Sequence, residues 1–364
     1  MDKTIHLGII GAGAITVNPG RHLDSLKELK ETDWELTAIC DVVPGLAEKV
    51  AAKYGFRKFY TDYHEMLADD DINAITINTP TNSHYQIAVD CLKAGKHVYL
   101  EKPITVNAAE MESLLKVANA SPGVFVAGSN GLFERQMFMF KDMIDAGEFG
   151  DVYMVSVDRA SSRLYAYGKR DNTKQRTKAD NTGISKHSAS HNVEWALFLL
   201  GDPKPVSVVA KAYYQEGNTT IPESERVEDD DGCIAMVLFD NNSSFTYKAF
   251  RAAPARDRYE MRVYGDKMSL EYDVDRCYNG HKKGLYGPDC IRMFKRDDFV
   301  GQFEMNPHYP AERGHAAIYR HFFDCIRRGE KSTISNGERG LVTMRIIDAI
   351  EESIRLGGKQ VMLS

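Results

Sequence analysis

The chain has 364 residues, 43% apolar and 27% charged, with a net charge of −6. This length predicts two or three domains with cores of their own, and the composition excludes a disordered chain. The acidic balance with no basic stripe argues against nucleic acid as a main partner, and no apolar run approaches the ~20 residues of a membrane span. Met1-Asp2-Lys3-Thr4 leads within a few residues into a strand-like run, without the n-region or cleavage site of a signal peptide. Six cysteines (Cys40, Cys91, Cys233, Cys277, Cys290, Cys325) form no C-x-x-C pair. That pattern fits reduced thiols and a cytoplasmic setting better than a disulfide framework or a zinc ribbon.

Apolar β-branched runs predict strands at Thr4–Ile10, Leu36–Cys40, Ala74–Asn78, His97–Leu100 and Val124–Ala127. Helical patterns lie between them, near His22–Lys30, Gly45–Tyr54, Tyr85–Ala94 and Ala108–Asn119, with Gly95 placed as a helix C-cap. Such alternation builds a parallel sheet with helices on both faces, which binds ligands beyond the carboxyl ends of its strands. After Gly150 the character changes. Alternating strands are expected at Val152–Asp158, Val206–Tyr214, Gly232–Phe239, Ser243–Phe250 and Tyr259–Tyr264, in series with hairpin-like turns that argue for an antiparallel sheet. One helix interrupts them at about Ser185–Leu200, a helical region follows at Pro310–Arg327, and a closing helix spans about Gly337–Leu356, stopping at Gly357-Gly358.

Three segments fall at strand ends, where a ligand would sit. Gly11-Ala12-Gly13-Ala14-Ile15-Thr16 follows the first strand and holds the first two glycines of a dinucleotide fingerprint, with Thr16 in place of the third. Alone, the pair also reads as a plain turn. Asp41 ends the second strand 28 residues after Gly13, where a carboxylate accepts hydrogen bonds from the adenosine ribose and repels a 2′-phosphate. Val42 and Val43 add no cation, so NAD is favoured over NADP; the competing reading makes Asp41 a loop cap. Thr79-Pro80-Thr81-Asn82-Ser83-His84 follows the third clear strand, and Glu101-Lys102-Pro103 follows the fourth. A charged pair directly after a buried strand is costly unless it faces a cleft, although Glu101–Lys102 also reads as a solvated turn.

Leu7–Thr16, Thr79–His84, Ala94–Pro103, Gly147–Val152 and Ala349–Val361 together resemble the glucose–fructose oxidoreductase, inositol dehydrogenase and rhizopine-catabolism (Gfo/Idh/MocA) family. The resemblance spans essentially the whole chain, and Ala94-Gly95-Lys96-His97-Val98 through Glu101-Lys102-Pro103 is its most specific part. It implies an α/β protein: a Rossmann doubly wound parallel sheet over 1–128, and over 129–364 an α/β domain with a large open, mainly antiparallel sheet. The closing helix at 337–356 is expected to pack back on the N-terminal domain, and the second domain's sheet to make a homodimer or homotetramer. NAD is expected to contact Gly11, Gly13, Ala14, Ile15, Asp41, Thr79, Pro80, Asn82, His84, Glu101 and Lys102. Lys102 inherits a place between the nicotinamide and the hydroxyl of a sugar or cyclitol.

On the interrupting helix, His187, His191 and Trp195 stand at i, i+4 and i+8, on one face. Two histidines one turn apart, with Glu194 nearby, make half of a metal site, but no third ligand follows at the usual spacing and no metal is expected. A solvated helix face is the plainer reading. Similar dehydrogenases carry Asp-x-Gly-x-His here, so His191 inherits the role of general base or acid, while His187 replaces the aspartate. The family's NAD-dependent glycosidases also carry histidine near this place, so a redox-neutral glycosidase, lyase or epimerase working through a transient keto-sugar competes with a dehydrogenase. A silent dinucleotide-binding protein is the third class. The substrate is expected to meet Lys102, Asn130, Arg163, Tyr165, His187 and His191, with Arg135, Tyr167, Arg170, His308 and Tyr309 as softer candidates. Glu228–Asp231 reads as a solvated strand entrance rather than a calcium site.

Overall fold

The computed structural model describes residues 4–160, 183–214, 230–250, 258–274, 291–295, 298–302 and 314–363. It divides into two compact units, residues 1–135 with 310–341 and residues 136–309 with 342–364. The division is not a single cut near residue 128, because 310–341 returns to the first unit.

The first unit opens with β1 (Ile5–Ile10), α1 (Ala14–Val17), α2 (His22–Leu26), β2 (Trp34–Cys40), α3 (Leu46–Tyr54), β3 (Lys58–Tyr60) and α4 (Tyr63–Leu67). It continues with β4 (Ala74–Ile77), α5 (Thr81–Lys93), β5 (His97–Leu100), α6 (Ala108–Ala120), β6 (Phe125–Ala127) and a 3-10 turn at Asn130–Phe133. The six strands pair in parallel in the order β3-β2-β1-β4-β5-β6. This is the doubly wound arrangement, and the strand order reverses between β1 and β4. The middle strands are apolar throughout because both faces are covered: all four residues of β4 are buried, as are three of the four in β5. β3 and α4 are additions to the predicted elements. α5 begins four residues before the expected Tyr85, since Pro80 sits extended at its N-cap and takes Thr81 through His84 into the first turn.

The second unit holds α7 (Arg135–Asp145, whose first residue belongs to the first unit), β7 (Val152–Ala160), α8 (Ile184–His187), α9 (Ala189–Leu200), β8 (Pro205–Tyr213), β9 (Gly232–Phe239) and β10 (Ser244–Phe250). β11 (Arg258–Gly265), β12 (Ser269–Asp273), β13 (Ile291–Lys295) and β14 (Asp298–Gln302) follow. α10 (His315–Arg328) lies in the first unit, α11 (Gly337–Arg355) starts there, and β15 (Val361–Met362) closes the second. The nine strands run β14-β13-β12-β11-β7-β10-β9-β8-β15, antiparallel at every junction except β7–β10. One face of this sheet is core, with Val155, Val157, Val237, Phe245, Tyr247, Met261 and Val263 buried. On the opposite face β9 presents Ile234, Met236 and Leu238, each about two-fifths exposed at 41%, 43% and 38%.

α10 brings His315, Tyr319, Phe322 and Phe323 into the core of the first unit. There Trp34 meets Phe323 with ring centroids 5.6 Å apart, and Arg327 forks onto Asp33 at 2.6 Å. α11 starts against α6: a Cβ on Gly337 would lie 2.6 Å from Leu115 Cδ1, and one on Gly340 2.9 Å from Ile104 Cδ1. In the second unit its Ser353 hydroxyl accepts from the Ala210 N–H at 2.8 Å.

At Gly11 a left-handed backbone meets a close backbone neighbour. This glycine has φ +102°, and a Cβ there would lie 2.7 Å from the Asn78 carbonyl oxygen. Left-handed strain and a backbone clash coincide, so Gly11→Ala is expected to cost at least about 2 kcal/mol in chemical denaturation. Gly13→Ala, with φ −72° and nothing within 4 Å of the added Cβ, is expected to cost less than about 1 kcal/mol.

Candidate active site

In the first unit the site begins where β1 and β4 end. The Gly11-to-Thr16 turn is tied down from inside. The Thr16 hydroxyl donates to the Gly11 carbonyl at 2.6 Å and accepts from Asn78 Nδ2 at 3.1 Å, all of it buried. Thr16, at the third fingerprint position, thus couples the loop after β1 to the end of β4. Ala14 and Ile15 lie in the short α1, and Gly13 leaves open space above its Cα. Asp41, at the end of β2, accepts the Ala12 N–H on Oδ2 at 2.8 Å and the Val43 N–H on Oδ1 at 2.9 Å. The loop-cap reading therefore describes its protein contacts, and an ionised carboxylate keeps further acceptor sites beyond these two bonds. Val42 beside it is 81% exposed.

Thr79 and Pro80 precede α5, and Asn82 and His84 lie in its first turn. His84 is buried, its two ring nitrogens facing the Pro103 and Thr79 carbonyl oxygens, each at 2.8 Å. It brackets the loop after β4 to the loop after β5, and burial pulls its pKa below the ordinary histidine value. Lys102 is half-buried, and its peptide bond to Pro103 is cis. Lys96, another residue of the resembling stretch, is structural: its buried ammonium donates to the Asp69 and Ile72 carbonyls at 3.0 and 2.6 Å.

Glu101 is 3% exposed. Its Oε2 accepts the Lys102 N–H at 2.7 Å, and its Oε1 lies 3.2 Å from Nε2 of both His22 and His315. His22 Nδ1 in turn lies 2.8 Å from the Tyr319 hydroxyl. Burial first, and then the nearby His315, pull His22 down to about 4 against the opposing pull of Glu101. Burial by itself would raise the Glu101 carboxyl, but the hydrogen bonds from the two imidazoles outweigh it and hold the group well below the usual carboxylate range. The ligand-type atoms of His22, Glu101 and His315 lie within 4.8 Å of one another, the one such group of three among the described residues. Sequence reasoning missed His22, His315 and Tyr319. No spacing rule links positions 22, 101 and 315.

In the second unit the interrupting helix is two helices. Ser188, with φ −89° and ψ −34°, separates α8 from α9. Asp230 holds the start of α8, accepting from the Ser185 N–H at 2.9 Å and the Ser185 hydroxyl at 2.8 Å. Arg159 donates to the Ser188 hydroxyl at 3.2 Å and lies 4.9 Å over the Tyr259 ring, which stacks on Trp195 at 5.7 Å. His187 is exposed, His191 half-buried and Trp195 buried, so the three do not share one environment as a single straight helix would give them. Asn130 opens the 3-10 turn after β6, and Arg135 is the first residue of α7. Arg163, Tyr165, Tyr167, Arg170, His308 and Tyr309 lie outside the described residues, as do Glu228 and Asp229 of the acidic run.

Residues 5–129 match the family model for an oxidoreductase family with an NAD-binding Rossmann fold, and residues 141–363 match that family's C-terminal alpha/beta domain. Inositol 2-dehydrogenase of Rhizobium meliloti is 32% identical over 211 residues, spanning 57% of this chain and 58% of that protein, a little over half its length. The scyllo-inositol 2-dehydrogenase (NADP(+)) of Bacillus subtilis is 26% identical over 363 residues, 96% of this chain and 94% of its own. Levoglucosan dehydrogenase, solved with NADH and levoglucosan, shares the fold at a TM-score of 0.82 and 20% identity, covering 99% of both chains. The chain belongs to the Gfo/Idh/MocA family of oxidoreductases, both of whose domains it carries.

Proposed function

We propose that this oxidoreductase is an NAD-dependent dehydrogenase acting on a secondary alcohol or ketone of a sugar or cyclitol. The observation that carries the reading is the row of groups at the carboxyl ends of β1, β2 and β5: the tight Gly11 turn with open space over Gly13, the Asp41 carboxylate, and Lys102. Gly11, Gly13, Ala14 and Ile15 would hold the pyrophosphate, Asp41 the adenosine ribose hydroxyls, and the Thr79–Asn82 and Glu101–Lys102 loops the nicotinamide half. When bound, the nicotinamide accepts or supplies the hydride. Lys102 donates a hydrogen bond to the reacting oxygen and stabilises charge that develops there. His191 removes the hydroxyl proton in the oxidative direction, and His187 positions substrate or supports His191. The inositol and levoglucosan dehydrogenases among the similar proteins support the substrate class.

A well-placed proton-transfer or oxyanion-stabilising group contributes roughly 10²–10⁴-fold. Absorbance at 340 nm across sugars, inositols and glycosides, with mass spectrometry of the products, is expected to show a steady NADH change with one compound. Lys102→Ala is expected to lower kcat with that compound at least about 10²-fold and leave the NADH Kd within about threefold. Product formed with a flat 340 nm trace would replace this reading with the redox-neutral one, and near-normal turnover by Lys102→Ala would sink the mechanism.

The negative charge of Asp41 and the exposed Val42 and Val43 beside it support NAD over NADP. Asp41→Ser is expected to lower the NAD-to-NADP ratio of kcat/KM by at least about tenfold, since it removes both the ribose acceptor and the repulsion of a 2′-phosphate. A wild-type enzyme that prefers NADP would overturn the assignment.

The exposed Ile234, Met236 and Leu238 row supports self-association through the open face of the second unit's sheet. Met236→Glu is expected to turn a dimer or tetramer into a monomer in size-exclusion chromatography with light scattering, and an unchanged mass would move the interface elsewhere.

A further inference from the structure

The carboxylate of Glu101 is sealed in the first unit with three donors on it. An ionised carboxylate only accepts, so the nitrogens that face it must donate. The Nε2–H groups of His22 and His315 point at Oε1 and the Lys102 N–H at Oε2. With Nε2 protonated and the ring neutral, His22 Nδ1 accepts, and the Tyr319 hydroxyl donates to it. Burial holds His22 down to about 4, so its ring is uncharged at neutral pH, and the Glu101 carboxyl, held well below the usual range by the hydrogen bonds from the imidazoles, keeps its negative charge. Among the described residues Arg21, Tyr99 on β5 and His84 on α5 are further titratable groups near it; the Arg21 charge adds to the pull that lowers His22, burial and the Glu101 charge hold the Tyr99 hydroxyl protonated, and burial disfavours the charged form of His84.

We propose that Glu101, locked in place by His22 and His315, is the positioning residue for Lys102. It fixes the main chain from which the lysine springs, and its buried charge keeps the neighbouring ammonium protonated, so that the lysine meets a developing oxyanion with a positive charge. The inference rests on the dehydrogenase reading for what Lys102 does, and on the described network for how Lys102 is held.

The test reads Lys102 directly. Amine labelling of the full-length protein over a pH series, followed by peptide mass spectrometry, gives the titration midpoint of Lys102 with no need for turnover. In the wild type that midpoint is expected at or above the ordinary lysine value of about 10.4 in spite of half-burial. Glu101→Gln is expected to move it acidward by about one unit. The alkaline limb of kcat/KM should follow by the same amount, because activity is lost where the lysine loses its proton. The acid limb, set by His191, should stay in place. His315→Gln keeps an N–H for the carboxylate and is expected to leave the midpoint within about 0.3 units while lowering kcat/KM less than tenfold.

A Glu101→Gln protein that folds and binds NADH but labels Lys102 at the wild-type midpoint would overturn the proposal. If Glu101→Gln does not fold, a wild-type midpoint more than about one unit below the ordinary value would do so on its own. One equivalent of divalent metal in the purified protein, lost in His315→Gln, would also overturn it by making the three side chains ligands. A midpoint that shifts in a protein with no turnover on any compound would sink the dehydrogenase reading and leave this one standing.

Discussion

An ionised carboxylate removed from water has to be met by donors, and the one on Glu101 organises much of the first unit. β5 delivers it at a strand end, where the main chain offers a single N–H, that of Lys102. The other donors come from elsewhere: His22 from the helix after the glycine turn, and His315 from the start of α10, more than two hundred residues later in the chain. This accounts for the discontinuous first unit. The segment that returns to it carries His315 for the carboxylate, Tyr319 one turn on for His22, and Phe322 and Phe323 for the surrounding core. Tyr99 and Tyr319 meet edge to face at 5.2 Å beside the polar cluster, whose His22, Glu101 and His315 are all buried. In such a setting the bonds within the cluster are strong, and a missing one would be costly.

The turn after β1 shows a related economy of parts. A fingerprint with a third glycine relies on the absence of a side chain for close packing. Here Thr16 fills the position and uses its hydroxyl to join the Gly11 carbonyl to the Asn78 amide. The loops after β1 and β4 flank the point where the strand order reverses, and they are held together by a side chain rather than by close backbone approach alone. Gly11 remains indispensable for a different reason, its left-handed backbone against the Asn78 carbonyl.

How much of this was legible in the sequence follows from the same physics. The central strands β1, β2, β4 and β5 stood out because burial on both faces makes them continuous apolar runs. β3 did not, being three residues at the sheet edge with Phe59 about half exposed at 49%. Gly11, Asp41 and Lys102 were legible as strand-end residues because parallel topology collects every such end on one side. In the second unit the hairpin strands and their mainly antiparallel pairing were legible, whereas the parallel junction of β7 with β10 was not. Strands in series suggest neighbours, and β10 reaches β7 only after the long excursion through α8, α9, β8 and β9. The His22–Glu101–His315 cluster left no trace, since hydrogen bonds across 79 and 214 positions have no period to detect.

The break at Ser188 shows why helical periodicity alone misplaces side chains. An unbroken helix would stack His187, His191 and Trp195 on one stripe. Instead Asp230 ties Ser185 by two bonds, Lys186 is buried and reaches Glu351 at 3.2 Å, and Asn192 turns back to the Ser188 carbonyl at 2.5 Å. Tyr259 donates to Asn192 and stacks on Trp195, fixing α9 against the sheet through a second set of contacts. The two short helices are therefore anchored independently, which leaves His187 exposed while His191 stays half-buried. Under the proposed mechanism an exposed imidazole at His187 contributes hydrogen bonds without a desolvation cost, and the negative charge next to the lysine in the chain is carried by the buried Glu101 carboxylate.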